Sequence, residues 1–201
     1  MNELKLKIMK KLLFVSLIFF SIYSSAQETE FTFTADKGMT DFIITPVEGK
    51  TAPEIYKKTI EWIKVTFKNP DKVILSTIEN EFIRFEGFSE TLYSYNAMGQ
   101  HYEPTKYEIE ISIKDGKYKF DLKSMQSLAD SSSTSAGGWY DVKFFTTTMG
   151  QEELEKAYVF KKDGTLRSSF KFANEVPVYF NKLNKSLSES IISTVKKTDG
   201  W

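Results

Sequence analysis

The feature that most constrains the fold is a strict alternation of apolar and polar residues in YEIEISIKDGKYKFDLK, from Tyr107 to Lys123. A period of two is the pattern of a β-strand with one buried face. The Asp115-Gly116 dipeptide in its middle is typical of a two-residue type I′ turn. The sequence therefore predicts a β-hairpin. Its apolar face comprises Tyr107, Ile109, Ile111, Ile113, Tyr118, Phe120 and Leu122. Its polar face comprises Glu108, Glu110, Ser112, Lys114, Lys117, Lys119, Asp121 and Lys123.

A second predicted hairpin joins the strand-like runs Val73–Ile78 and Phe82–Gly87 through a short turn. Because directly opposed residues share a face, pairing across this turn divides the side chains into two sets. The predicted core side comprises Ile74, Ser76, Ile78, Ile83 and Phe85. The predicted outer side comprises Val73, Leu75, Thr77, Phe82 and Arg84. Between this hairpin and the first lies a tyrosine-rich segment, Phe88–Pro104, which fits either a long loop or a widened hairpin end.

Two amphipathic helices flank these strands. The first begins at a capping box, Thr51 with Glu54, and its apolar stripe contains Ile60 and Ile63. Trp62 falls at the border of that stripe, and we interpret it as scaffold rather than as a ligand-stacking residue. The second helix is predicted at residues 177–198.

Two helices on one face of an antiparallel meander predict an α+β domain of two layers, with a sheet of about five or more strands. Residues 27–201 form this single domain, and an insert at 126–172 precedes the last helix. The insert contains a linker-like stretch, ADSSSTSAGG, followed by a strand-like run from Trp139 to Thr148.

The stretches TIEWIKVTFKNPDKVI and ISIKDGKYKFDL resemble a bacterial family of exported proteins, a domain of unknown function with a TATA-binding-protein-like (TBP-like) fold. The resemblance covers the recognisable core, 42–125. It implies a curved antiparallel sheet backed by helices, and it brings no catalytic residues with it.

The N-terminus has the pattern of a secretory signal peptide. Lys10 and Lys11 precede an apolar run of about a dozen residues, which is shorter than the roughly 20 residues that a membrane-spanning helix needs. Small residues follow, so residues 1–26 are predicted to be removed after Ala26, and Met9 could be the true start. The predicted location is periplasmic or secreted, with no transmembrane anchor after cleavage. An uncleaved N-terminal anchor is the alternative.

Composition excludes several classes of chemistry. The chain contains no cysteine, so it has no disulfide, thiol nucleophile or cysteine-bound metal. Without residues 1–26 the net charge is about −3, and no basic stripe of the kind that binds phosphates is present. We therefore predict no nucleic-acid partner.

Catalytic and cofactor motifs are also missing from the sequence. His101 is the single histidine, and neither a nucleophile elbow nor a phosphate-binding loop accompanies it. We predict no catalytic residue, no cofactor and no metal. Glu110 and Asp121 should face each other on the outer side of the hairpin, where flanking lysines would screen them; a weak calcium site is the alternative.

Two hypotheses on function remain open. The first is a non-catalytic binding domain that uses the open sheet face or the insert, with a protein or a small apolar ligand as its partner. The second is a small cofactor-free hydrolase-type enzyme with a site near His101. The residues singled out for binding are Val73, Leu75, Phe82, Arg84, Tyr93, Tyr95 and Trp139. Either a partner uses the apolar patch around Phe82, or the insert covers it through Trp139, Phe144 or Phe145.

Overall fold

A computed structural model describes residues 29–92, 94–96, 99–131, 136–142 and 152–193 of the chain. The strands are β1 (Phe33–Thr34), β2 (Gly38–Met39), β3 (Phe42–Pro46), β4 (Ile74–Ile78), β5 (Phe82–Ser89), β6 (Ser94–Asn96), β7 (Gln100–Tyr102), β8 (Thr105–Lys114), β9 (Lys117–Ala129) and β10 (Gly138–Asp141). The helices are α1 (Ala52–Thr66), α2 (Pro70–Val73), α3 (Glu152–Val159) and α4 (Glu175–Ile192), and a 3-10 helix spans Ser168–Asn174. None of the described helices has the length and apolarity that crossing a bilayer requires.

The centre of the fold is an antiparallel sheet of six strands. Five of them follow the order β10-β9-β8-β5-β4, and the sixth, β3, also pairs with β9. Strand β9 is long enough to pair with two strands on the same side. Its first half pairs with β3 and its second half with β10. Two small ribbons, β1–β2 and β6–β7, stand apart from this sheet. The structure is therefore α+β, as the sequence predicts.

The β8–β9 hairpin has the predicted register, with Lys114 opposite Lys117 and Glu110 opposite Asp121. Its apolar side chains are almost completely buried, apart from the partly buried Leu122. A bulge follows Leu122, because Ile109 pairs with Leu122 and the next residue back, Glu108, pairs with Ser124. The alternation of the sequence gave no sign of this irregularity.

The turn of this hairpin differs from the prediction. Gly116 adopts the expected left-handed conformation, with φ at 75°. Asp115 does not, since the only non-glycine residue with positive φ among those described is Asn80, and a type I′ turn needs two. Contacts with the start of α1 provide a physical reason. The Ala52 amide donates to Asp115 Oδ1 at 2.7 Å, and the Gly116 amide donates to the Lys50 carbonyl at 2.8 Å.

Helices α1 and α4 pack on the same face of the sheet, as predicted. Trp62 is buried rather than at the border of the apolar stripe, and its Nε1 donates to Ser186 Oγ of α4 at 3.1 Å. Its ring meets Phe85 of β5 edge to face, with centroids 5.9 Å apart. Trp62 is therefore scaffold. The fully buried side chains of the main core include Ile43, Ile55, Ile63, Ile83, Phe85, Tyr107, Ile109, Ile111, Tyr118, Phe120 and Phe180.

Polar contacts fix α4 against the sheet. Asn184 is buried, and its amide binds the hydroxyl groups of Tyr118 and Thr45. Asn181 binds the backbone of Phe31 through both ends of its amide, at 2.7 and 2.9 Å. The predicted bounds of this helix, 177–198, need correction. It begins at Glu175 and ends at Ile192, because Ser193 already leaves helical geometry.

The predicted insert boundary at 126 also needs correction, since β9 continues to Ala129 and keeps pairing with β8 up to Ser127. Within the insert, β10 ends at Asp141, and Phe144 and Phe145 lie outside the described residues. The later part of the insert packs against the N-terminal ribbon. Phe33 joins Phe160 there, with Val159 and Ala173, in a second small apolar cluster.

Candidate functional site

The side of the six-stranded sheet away from α1 and α4 is called the open face here. Phe82 and Arg84 lie on it, as predicted, because they pair with Ser112 and Glu110 of β8, both of which point away from the core. Phe82 is partly buried, and the Arg84 guanidinium carbon lies 5.9 Å from the centroid of its ring.

Val73 and Leu75 do not lie where the sequence analysis placed them. Val73 is the last residue of α2 and packs against the main core, because Pro70 starts a helical turn in place of the expected strand. Leu75 is the extra residue of a bulge between Ile74 and Ser76, and 48% of its surface is exposed. The bulge moves every later residue of β4 to the opposite face.

As a consequence, Ile78 lies on the open face instead of the core side. It pairs with Phe82, and 57% of its surface is exposed. Ser76 moves with it and pairs with Arg84, while Thr77 moves to the other side opposite Ile83. The edge of the open face is thus formed by Ile78 and Phe82 rather than by Val73, Leu75 and Phe82.

Three more exposed apolar side chains, Phe88, Leu128 and Trp139, lie on the open face on the strands near the far end of β5. Trp139 pairs with Leu128, and the side chains are 43% and 36% exposed. Phe88, which is 53% exposed, pairs with Lys106 of β8, and the Lys106 ammonium lies 4.8 Å from the Trp139 ring centroid. Sequence reasoning missed Phe88, although the alternation from Phe82 through Arg84 could have placed it.

A cluster of paired charges separates these three apolar side chains from the edge of the open face. Glu110 and Asp121 face each other as predicted, and both are largely buried. Lys119 Nζ lies 2.6 Å from Asp121 Oδ2, and Lys123 Nζ lies 3.8 Å from Asp121 and 3.9 Å from Glu110. The two lysines therefore screen the carboxylates, as the sequence analysis expected.

Arg84 is a third cation in this cluster. Sequence reasoning did not place Arg84 there. Its guanidinium donates to Glu110, and its Nε lies 3.4 Å from Glu108. The hydrogen bond with Glu110 raises the pKa of Arg84. Three cations thus meet three carboxylates, so the centre of the open face is close to neutral. Across the described residues, no group of three or more acidic or histidine side chains has the arrangement of a metal site.

Of the two tyrosines proposed for binding, the structure places one, and that one lies outside the six-stranded sheet. Tyr93 lies outside the described residues. Tyr95 lies on β6, opposite His101 of β7, in a ribbon that is separate from the six-stranded sheet. Ser94 fixes this ribbon to α4, because its amide and its hydroxyl both donate to Glu175.

Two grooves lie along α4, each with a volume of about 390 Å³. Val178 and Lys182 line both of them. The first groove also includes Tyr102 and Tyr179, and the second includes Asn181. His101 lines neither groove and is exposed on β7. Both grooves are on the helix side of the domain.

This architecture, a helix-backed antiparallel sheet with one open face, is that of a TBP-like domain. Residues 44–127 match the family model described as a domain of unknown function (DUF4468) with a TBP-like fold. The family resemblance found in the sequence is therefore confirmed. The description assigns the family no function.

One solved structure supports the fold, and a second has weaker similarity. A DUF4468 family protein from Bacteroides ovatus is 14% identical, with a TM-score of 0.52, over 79% of this chain and 89% of that one. A TBP-like protein from Parabacteroides distasonis is 13% identical, with a TM-score of 0.48, over 75% of this chain and 90% of that one. No curated protein matches the sequence.

Proposed function

We propose that the protein is a non-catalytic interaction domain that is exported and binds another protein through the open face. The observation that carries this proposal is the exposure of Phe88, Trp139 and Leu128, which lie on one face of the sheet that no described helix covers. Exposed apolar groups with a polar surround usually mark interaction sites. Aromatic side chains are also enriched among the residues that dominate binding energies.

The charges of the open face favour a protein partner over a nucleic acid. Nucleic-acid binding depends on unpaired basic groups that can neutralise phosphates. Here Lys119, Lys123 and Arg84 are each within 4 Å of a carboxylate of the same chain. A partner would therefore meet a nearly neutral centre with apolar contacts on either side of it.

The shape of the open face favours a protein over a small apolar ligand. Small ligands usually bind in concave pockets that bury most of their surface. The two grooves described above lie along α4, on the helix side of the domain. Phe88 and Trp139 instead lie on a sheet surface, which suits a partner that is itself broad.

Photo-crosslinking tests the proposed surface. Benzoylphenylalanine replaces Phe88 on the open face in one variant and Val65 in the control. Val65 is 84% exposed and lies on α1, on the opposite side of the domain. We expect a discrete protein adduct from position 88 in the cells that produce the chain, and its loss when Trp139→Asp is added. The same adducts from both positions would contradict the proposal.

A fluorescent apolar probe distinguishes the small-ligand alternative. If 1-anilinonaphthalene-8-sulfonate binds the purified chain tightly, and Phe88→Glu abolishes the binding while position 88 gives no protein adduct, the open face is a ligand site instead. Weak binding of the probe that Phe88→Glu does not change supports the protein partner.

Export rests on the signal-like N-terminus and is tested by intact mass. We expect the protein recovered from producing cells to begin at Gln27, with or without cyclisation of that residue. Loss of residues 1–26 follows from the apolar run and the small residues before Gln27. A full-length protein in the membrane fraction would show that the segment is an uncleaved anchor.

A further inference from the structure

We propose that two copies of this chain associate by pairing their β4 strands edge to edge, in antiparallel orientation around a twofold axis. This inference concerns the edge of the sheet and does not depend on the proposed use of the open face.

The first argument is that β4 is an unprotected edge. Its inner side pairs with β5, and no other strand of the described structure pairs with its outer side. Edge strands that avoid association usually carry proline, lysine or some other charged residue that discourages pairing. The five residues of β4, ILSTI, include none of these, and Leu75 and Ile78 are each about half exposed. The bulge at Leu75 is the one protective feature of this strand.

The second argument is charge complementarity with a second copy. Lys72 lies in α2, two residues before β4, and Glu79 lies directly after β4; both are exposed. An antiparallel partner reverses the strand, so that Lys72 of each copy approaches Glu79 of the other. The contact forms twice because a twofold interface repeats every pair. Within one copy the whole of β4 separates these two residues, so they do not form such a pair.

The third argument is that the pleat of β4 fits this register. In the register that places Ile74 opposite Thr77 of the other copy, Lys72 of α2 lies near Glu79 of that copy. Opposed residues must share a face of the sheet, and the bulge provides this, because Ile74 and Thr77 both lie opposite core residues of β5, Phe85 and Ile83. A regular strand would put residues 74 and 77 on opposite faces.

The expected dimer is weak and has a defined geometry. A pair of five-residue strands is smaller than the interfaces of stable dimers, so we expect a dissociation constant on the order of tens of micromolar. The twofold axis is perpendicular to the sheet. The two open faces therefore lie on the same side, and the Ile78 side chains of both copies lie near the junction.

Analytical ultracentrifugation of the protein recovered from producing cells, between about 5 and 500 µM, tests this proposal. Ile78→Lys places a charge on the outer strand and should raise the dissociation constant at least tenfold. Val65→Lys adds the same charge at an exposed position of α1 and should leave the constant unchanged. A protein that stays monomeric over this range, or an Ile78→Lys variant that dimerises normally, overturns the proposal.

A charge swap tests the register. Lys72→Glu and Glu79→Lys should each raise the dissociation constant by about threefold to tenfold, since each removes both salt bridges and creates like-charge contacts. The double variant has the net charge of the parent and should return to within about twofold of the parent constant. Both positions are exposed, and circular dichroism checks that each of the three variants is folded. A double variant that dimerises as poorly as either single variant overturns the proposed pairing.

Discussion

The β8–β9 hairpin lies in the middle of the sheet and presents a charged outer surface, whereas the β4–β5 hairpin lies at the edge and presents Ile78 and Phe82 on the same side. The charges at the middle of the central hairpin are paired with charges of the same strand or of a neighbouring one. Glu110, for example, contacts Arg84 of β5 and Lys123 of β9. A strand at the edge has a neighbour on one side only, so fewer partners are available to it.

The comparison distinguishes surface side chains that have partners within the chain from surface side chains that do not. The charges at the centre are neutralised by other residues of the sheet, so they need no external partner. The apolar side chains at the edge, Ile78 and Leu75, have no such cover in the described structure and are 57% and 48% exposed. The edge hairpin is therefore the region in which we expect association.

The largest expected effect is a difference in stability loss between substitutions on the two faces of β5. Ile83→Ala should destabilise the fold by about 3 kcal/mol, because Ile83 is completely buried and the substitution leaves a cavity. Phe82→Ala, one residue away on the open face, should cost about 1 kcal/mol or less. Chemical denaturation of both variants measures the difference. Equal losses would mean that the open face is covered in solution.

The glycines of the two hairpins sharpen the comparison. Gly87 of β5 lies opposite Tyr107 of β8, and a Cβ at this position would lie 2.3 Å from the tyrosine ring. Gly87→Ala should therefore cost about 2–3 kcal/mol through overpacking. A stability close to that of the parent would show that the Tyr107 ring can move aside.

Gly116 of the β8–β9 turn is the matched control for Gly87. It has positive φ and open space around it, so the cost of a side chain there comes from backbone strain alone. Gly116→Val should destabilise the protein by about 1 kcal/mol. An unchanged melting temperature would contradict the observed turn geometry.

The last expected effect is a pH dependence of stability that comes from the buried tyrosines of the central hairpin. Burial, with the neighbouring Tyr179 hydroxyl 2.8 Å away, raises the pKa of Tyr107, and burial also raises the pKa of Tyr118. An unfolded tyrosine ionises near pH 10. The stabilisation is therefore complete below about pH 10 and is lost as the pH rises further, by about 1.4 kcal/mol per pH unit for each tyrosine.

Tyr107→Phe tests this dependence. It should cost about 1 kcal/mol at pH 7 through the lost hydrogen bond, and it should reduce the slope of stability against pH above pH 10 by the contribution of one tyrosine. Urea unfolding at several pH values measures both quantities. Tyr158→Phe, at an exposed position of α3, is the control and should leave the slope unchanged. A Tyr107→Phe variant with the parent slope would contradict the assignment.

The sequence predicted the β8–β9 hairpin and its two faces because strict alternation leaves one register that buries every apolar side chain. The same reasoning was wrong for β4. The bulge at Leu75 shifts the faces by one residue, and a bulge has no reliable signature in a short apolar strand. The prediction for Val73 was wrong because Pro70 can end a helix or start another, and local sequence does not distinguish these outcomes.

The sequence by itself determined the two-layer α+β class, the central hairpin and the family resemblance, since these depend on local periodicity and on recognisable stretches of residues. Only the tertiary structure decided which surfaces remain exposed. The cluster around Glu110 needs Arg84, which is 26 residues away along the chain, and Phe88 lies on the same face of the sheet as Trp139. Such arrangements form when strands pair across long separations, and strand pairing depends on the packing of the whole sheet rather than on any single segment.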